Sequence, residues 1–207
     1  GSISETFVVT VFDQSGNGND ANQSTTASQP KFTDSNGDLI VDSKGYLGLD
    51  YDGIDDGLIS SYTPGVISEG TLVLSAEGDL SGNNYQRMVS AQSDVNNRFF
   101  KQQFNDENSW QTGISRLDGV FKGIGVINQP SVTTLLWSSS SVTFRQNGSE
   151  LETSTHTYTS LNITQPMTIG FKDDGSGVAN HWKGIISTVI FYNADKASDI
   201  ASIESYL

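Results

Sequence analysis

Apolar and polar residues alternate along most of the chain with a period of two. In Thr6–Phe12, the residues Phe7, Val9 and Val11 fall on one face, which predicts a strand with one buried side. Further short β-rich runs are Thr71–Ser75, Arg87–Ala91, Arg98–Phe104, Val120–Ile127, Val132–Trp137, Val142–Gln146, Met167–Phe171 and Gly184–Tyr192. Turn residues separate them, at Asn36-Gly37, Gly53, Asn83-Asn84, Asn96-Asn97, Asn147-Gly148 and Asp174-Gly175. Many short strands with such punctuation predict a sandwich or barrel. Asn147-Gly148, between two strand-like runs, is the strongest hairpin signal. The period changes once. Ser198–Leu207 spaces Ile200, Ile203 and Leu207 along one helical face, with Ser198 as N-cap and Asp199 in the first turn. This helix is expected to close over an end of the sandwich.

Composition narrows the class. No linker or composition break divides the 207 residues, so residues 3–207 read as one domain. Gly1-Ser2 reads as the remnant of a tag, and a core-type strand begins almost at once, so the chain is expected to be a piece of a larger parent protein. There is no cysteine, hence no disulfide and no thiol chemistry. Lys and Arg total 11 against 24 Asp and Glu, a net charge of −13. That balance opposes binding to nucleic acid and to anionic lipid, both of which need clustered cations. No apolar run reaches the length of a membrane span, so membrane insertion is not expected.

Three segments resemble one family. Val11-Phe12-Asp13-Gln14-Ser15-Gly16-Asn17-Gly18-Asn19-Asp20-Ala21, followed by Gln29-Pro30, is similar to the opening of laminin G-like domains in bacterial and phage surface proteins. A similar stretch occurs in fungal arabinofuranosidase B. Leu49-Asp50-Tyr51-Asp52-Gly53-Ile54-Asp55-Asp56-Gly57-Leu58 resembles the family's strand and acidic turn. The closing region resembles its last strands and helix: Thr168-Ile169-Gly170, Trp182-Lys183-Gly184-Ile185-Ile186 and Phe191-Tyr192-Asn193. The resemblance implies an all-β, two-sheet antiparallel jelly-roll sandwich of the concanavalin A-like kind with a short C-terminal helix. It implies an extracellular, cell-surface or virion setting. Function does not follow from the fold, because such sandwiches host lectins, adhesion modules, spacers and glycosidases.

The residues themselves weigh against catalysis. His156 and His181 stand in different segments, and no Gly-x-Ser-x-Gly elbow is present. Glycosidases need two carboxylates about 5–10 Å apart across the sugar. Related sandwich glucanases carry them on a Glu-x-Asp-x-x-Glu strand, and the chain has none. Glu150 and Glu152 lie beside a hairpin and read as solvated edge charges. The expected function is therefore non-catalytic glycan binding, as a lectin-like module of an adhesin, a phage tail protein or a carbohydrate-active enzyme. The alternatives are a glycoside hydrolase and a structural spacer.

Sugar binding needs flat apolar faces and planar polar groups. The candidates are Trp110, Tyr85, Arg98, Asn180 and His181, which stand in or beside polar loops; Arg116 is a second cation for an acidic sugar. Trp137 and Trp182 are expected in the core. Calcium takes six to eight oxygens, often from acidic turns. Asp173 and Asp174 in an acidic Gly-containing loop are the first candidates, and Asp106 the second. Asp13 reads as a residue that caps turn amides, and Asp52, Asp55 and Asp56 read first as turn caps and second as ligands of a cation.

Overall fold

The computed structural model describes residues 4–79, 85–94, 96–104, 109–115, 120–123, 129–155 and 160–207; between 102 and 128 it describes strand backbone alone. The chain begins with strands β1 (Thr10–Val11), β2 (Ala21–Asn22), β3 (Leu49–Asp52), β4 (Leu58–Ser60), β5 (Gly65–Ile67) and β6 (Gly70–Gly78). Then come β7 (Gln86–Gln92), β8 (Arg98–Phe104), β9 (Ser109–Ser115), β10 (Val120–Gly123), β11 (Ser131–Trp137) and β12 (Ser141–Gln146). The last strands are β13 (Ser149–Thr155), β14 (Leu161–Ile163), β15 (Thr168–Ile169), β16 (Lys172–Asp173), β17 (Val178–Ala179) and β18 (Lys183–Tyr192), before helix α1 (Ile200–Glu204).

Two antiparallel sheets face each other. One has eight strands in the order β1-β2-β4-β15-β7-β8-β9-β10, the other six in the order β13-β12-β11-β6-β18-β3. Short pairs β14-β5 and β16-β17 complete the described strands. The chain is thus an all-β jelly-roll sandwich with a short C-terminal helix, as the period-two pattern predicts. Alternation fills the core. Leu72, Leu74, Ala76, Leu135, Trp137, Phe144 and Ile186 from the six-stranded sheet meet Leu58, Met88, Val89, Ala91, Phe99 and Ile169 from the eight-stranded one. Phe99 and Phe191 stack at 5.1 Å, and Phe99 and Trp137 stand 5.2 Å apart. Trp137 and Trp182 are both buried, in agreement with the sequence.

Glycines and turns follow the local chemistry. Asn147 and Gly148 take φ of 48° and 80° and join β12 to β13, the hairpin that the dipeptide predicts. Gly184 sits at φ 131°, and a Cβ there would strike the Glu77 carbonyl of the paired strand β6. In the opening motif, the Asp13 carboxylate accepts from the backbone N–H of Ser15 and of Asn19. This is the turn role expected of it.

Three expectations change. In Thr6–Phe12 only Thr10–Val11 forms a strand, and Phe7, Val9 and Val11 are 41%, 55% and 40% exposed. The alternation is present, but β1 is an edge strand and among the described residues no layer covers that face. The helix lies on the outward face of the six-stranded sheet, not over an end. There Ile200, Ile203 and Leu207 pack with Val73, Leu136, Val132 and Ile190. Those sheet residues are the out-of-phase apolar positions of β6, β11 and β18, and burying them decides where the helix docks. Asp199, not Ser198, is the N-cap.

Candidate functional site

The outward face of the eight-stranded sheet is different. On β8, Phe99 points into the core, so its neighbours Arg98 and Phe100 point outward. On β7, Ala91 lies opposite Phe99, which places Ser90 and Gln92 outward, opposite Phe100 and Arg98. A register shift between Arg87 and Val89 restores Arg87 to this face. The guanidinium of Arg87 lies over the Phe100 ring, its carbon 3.6 Å from the centroid, and that of Arg98 lies 5.2 Å away. Two cations thus share one aromatic ring.

Burial is deep here. Arg87 is 5% exposed, and Phe100, Ser90 and Gln92 are essentially buried. Among the described residues, Nε and Nη1 of Arg87, Oγ of Ser90 and Oε1 of Gln92 have no hydrogen-bond partner. Burial, and then the nearby Arg98, push the Arg87 guanidinium down to about 9; Asp174 pulls the other way. Arg98 is lowered too, chiefly by burial and against Asp94. At neutral pH Arg87 remains a cation.

The hairpin β16–β17 borders this face. Asp174 pairs with Lys172 at 2.6 Å and accepts from the backbone N–H and hydroxyl of Ser176 at 3.1 and 2.5 Å. Those contacts, Lys172 first, hold its carboxyl well below the usual range. Asp173 accepts from the Gly175 N–H at 2.8 Å. The two acids expected to crowd around calcium are therefore engaged within a β-turn, one of them with a lysine. Among the described residues, the carboxylates that do come together are Asp52, Asp55 and Asp56, with oxygens within 4.8 Å of one another. Asp52 accepts from the N–H groups of Ile54 and Asp55, and Asp56 from that of Asp52. Burial pushes the Asp56 carboxyl up to about 7, against that amide bond.

Several sequence candidates gather beside Arg87. The Arg87 N–H donates to the Asn180 carbonyl at 2.7 Å. His181 stacks on Phe171 at 5.8 Å, and its Nδ1 lies 3.2 Å from the Asp56 carbonyl. Tyr85, two residues before Arg87, is 48% exposed. Tyr85 and Asn180 hold φ of 65° and 59°, strained values that surrounding structure must maintain. Trp110 belongs to β9, opposite Gln103, and its side chain lies outside the described residues. Asp106, Arg116, His156 and the Asn83-Asn84 turn also lie outside them. Sequence reading missed Arg87. Its one signal is a charge opening an otherwise apolar run, and the register that pairs it with Arg98 and Phe100 is a tertiary fact.

A concavity lies elsewhere. A cleft of about 1070 Å³ opens between the sheet edges, lined by Phe12, Tyr51, Tyr62, Met167, Ile186 and Phe191 among others. Asp13, Gln14, Asn17, Asn19 and Asn193 add polar groups to its lining.

No protein-family model matches the chain, and no curated protein matches it. Solved structures do. A heptameric SAP-like pentraxin from Limulus polyphemus shares 15% identity with a TM-score of 0.58, covering 74% of this chain and 78% of the pentraxin. The CBM40 module of the Ruminococcus gnavus IT-sialidase, bound to α2,3-sialyllactose, has 15% identity and a TM-score of 0.56, covering 67% and 83%. Leech intramolecular trans-sialidase matches at a TM-score of 0.55 and 15% identity over 68% of this chain, which spans 24% of that enzyme. At this identity the likeness shows the fold, a jelly-roll sandwich shared with these proteins. No helix among the described residues is long and apolar enough to cross a membrane.

Proposed function

We propose that this chain binds glycan without cleaving it. The observation that carries the proposal is the jelly-roll sandwich it shares with a module whose structure holds sialyllactose. Asp52 and Asp56 are bound up in capping a turn and Asp55 accepts from the Ser28 hydroxyl, which makes the trio a poor acid and nucleophile pair. The setting we propose is extracellular, at a cell surface or virion, as the recognition module of an adhesin, phage tail protein or carbohydrate-active enzyme.

A broad glycan array, run with and without calcium, tests the reading, together with turnover of aryl glycosides. Hits on the array with background turnover are expected. An array empty in both conditions would favour a spacer. Turnover abolished by substituting one carboxylate would make the chain a glycosidase.

A further inference from the structure

The six-stranded sheet is left unfinished where it borders the cleft. β3 pairs with residues 183–186 of β18 and no further, because the chain turns away at Gly48, whose N–H donates to the Ile40 carbonyl at 3.1 Å. Past that point β18 still pairs with β6, in unbroken register from Thr188 opposite Ser75 to Tyr192 opposite Thr71. Its other backbone edge, over residues 188–192, has no strand beside it among the described residues. All seven residues 187–193 line the cleft. A strand that showed its face would contribute every second residue, so the cleft meets β18 edge-on.

Natural sheets blunt a free edge with charge or proline. Thr188-Val189-Ile190-Phe191-Tyr192 has neither, and every residue in it is β-branched or aromatic. The bulge between Ile186 and Thr188 guards only the point where β3 departs, before the regular stretch begins. Exposed apolar side chains stand nearby in the same cleft: Phe12 is 67% exposed, Leu47 47% and Val11 40%. An apolar strip beside a row of backbone N–H and C=O groups suits a ligand that carries a backbone of its own. A lipid chain would cover the strip and leave the edge unpaired.

We propose that residues 188–192 of β18 are a docking site for an extended peptide of a partner protein, which adds a strand to the six-stranded sheet where β3 leaves it. The proposal is independent of the glycan reading. The peptide carries apolar residues at every second position, because one set of its side chains faces into the cleft, the side on which Val189 and Phe191 pack. Charge sets the rest of its chemistry. The cleft lining holds no lysine, arginine or histidine, and its one acid, Asp13, is spent on the amides of Ser15 and Asn19. The chain as a whole carries −13. An uncharged strand with basic flanks is therefore attracted, whereas a second copy of this chain is repelled.

An array of capped hexapeptides tests this, with Val, Ile, Leu or Phe at alternate positions, Thr or Ser between them and a lysine added at each end. At least one should bind about ten-fold or more tightly than a permuted control whose residues no longer alternate. N-methylating its backbone at every second residue keeps the side chains and removes strand hydrogen bonds, and should cost about ten-fold or more. Hydrogen exchange should show new protection at residues 188–192 when that peptide is added. Phe12→Asp should weaken binding without moving the melting temperature. The N-methyl comparison uses the unaltered protein, so it decides even if the variant misfolds. Equal affinity of the N-methylated peptide, or protection confined to other strands, overturns strand addition at β18. An array without a binder overturns the partner peptide and leaves glycan binding standing. Sedimentation showing self-association that Phe12→Asp abolishes would make a second copy the occupant, and overturns it too.

Discussion

The two outward faces of the sandwich treat a buried charge in opposite ways. On the six-stranded sheet, Glu204 of α1 is 8% exposed and fully engaged. It accepts from Nε and Nη2 of Arg145 at 3.1 and 3.0 Å and from the Thr134 hydroxyl at 2.7 Å. On the eight-stranded sheet, Arg87 is as deeply buried and keeps two unpartnered nitrogens. The first arrangement fastens a helix to a sheet. The second leaves a cation buried with fewer partners among the described residues, at a cost that the rest of the fold must offset.

The largest effect should come from breaking the closed pair. Glu204→Ala strands Arg145 and Thr134, and should lower stability by about 2–3 kcal/mol, less than a fully buried pair because Arg145 is partly exposed. Thermal melts should show a fall of roughly 5–10 °C. A fall within error would mean that the helix is held by its apolar face alone.

Arg87→Met should move the other way. It keeps contact with Phe100 and removes the buried charge, so stability should rise by about 1 kcal/mol. Destabilisation comparable to Glu204→Ala would show that Arg87 is structural after all, and the contrast between faces would collapse.

Asp56 sharpens the comparison with a third buried charge. Its carboxyl is raised to about 7, chiefly by burial, so the folded state holds the proton more tightly than the unfolded chain does. This stability is fully present below about pH 4, the ordinary carboxyl range, and is lost as pH rises through about 7. Urea midpoints at pH 4.5 and 7.5 should differ in that sense, and Asp56→Asn should flatten the difference. A midpoint that rises over this window in the parent, and not in the variant, would contradict the assignment.

The smallest effect concerns the β16–β17 hairpin. Asp174→Asn loses a partly exposed pair with Lys172, worth at most about 1 kcal/mol. Because Asp174 is so engaged, any shift of the melting temperature between chelator and millimolar calcium should be the same in parent and variant. A calcium response lost only in the variant would restore the cation site that the acidic loop implies.

Sandwich, hairpin and core tryptophans could be read from the sequence because each rests on local rules: alternation, turn chemistry and apolar size. Asn147-Gly148, Trp137 and the Ile200, Ile203 and Leu207 spacing needed no partner to be recognised. Arg98, Asn180 and His181 could be singled out by residue type, though not as neighbours of one charge. Thr6–Phe12 shows the limit of that kind of reading, since alternation reports two unlike faces and not which of them another layer will cover.

What the sequence alone determined about this protein is therefore its class: short alternating strands, an apolar-faced terminal helix and an acidic surface hostile to polyanions. Only the tertiary structure decided where the helix docks and that Arg87 stands over Phe100 beside Arg98. The reason is physical. Periodicity and turn preference act over a few residues, whereas strand register across β7 and β8, including the shift at Arg87, is set by the summed packing of both sheets. A one-residue slip would have turned Arg87 to the other face.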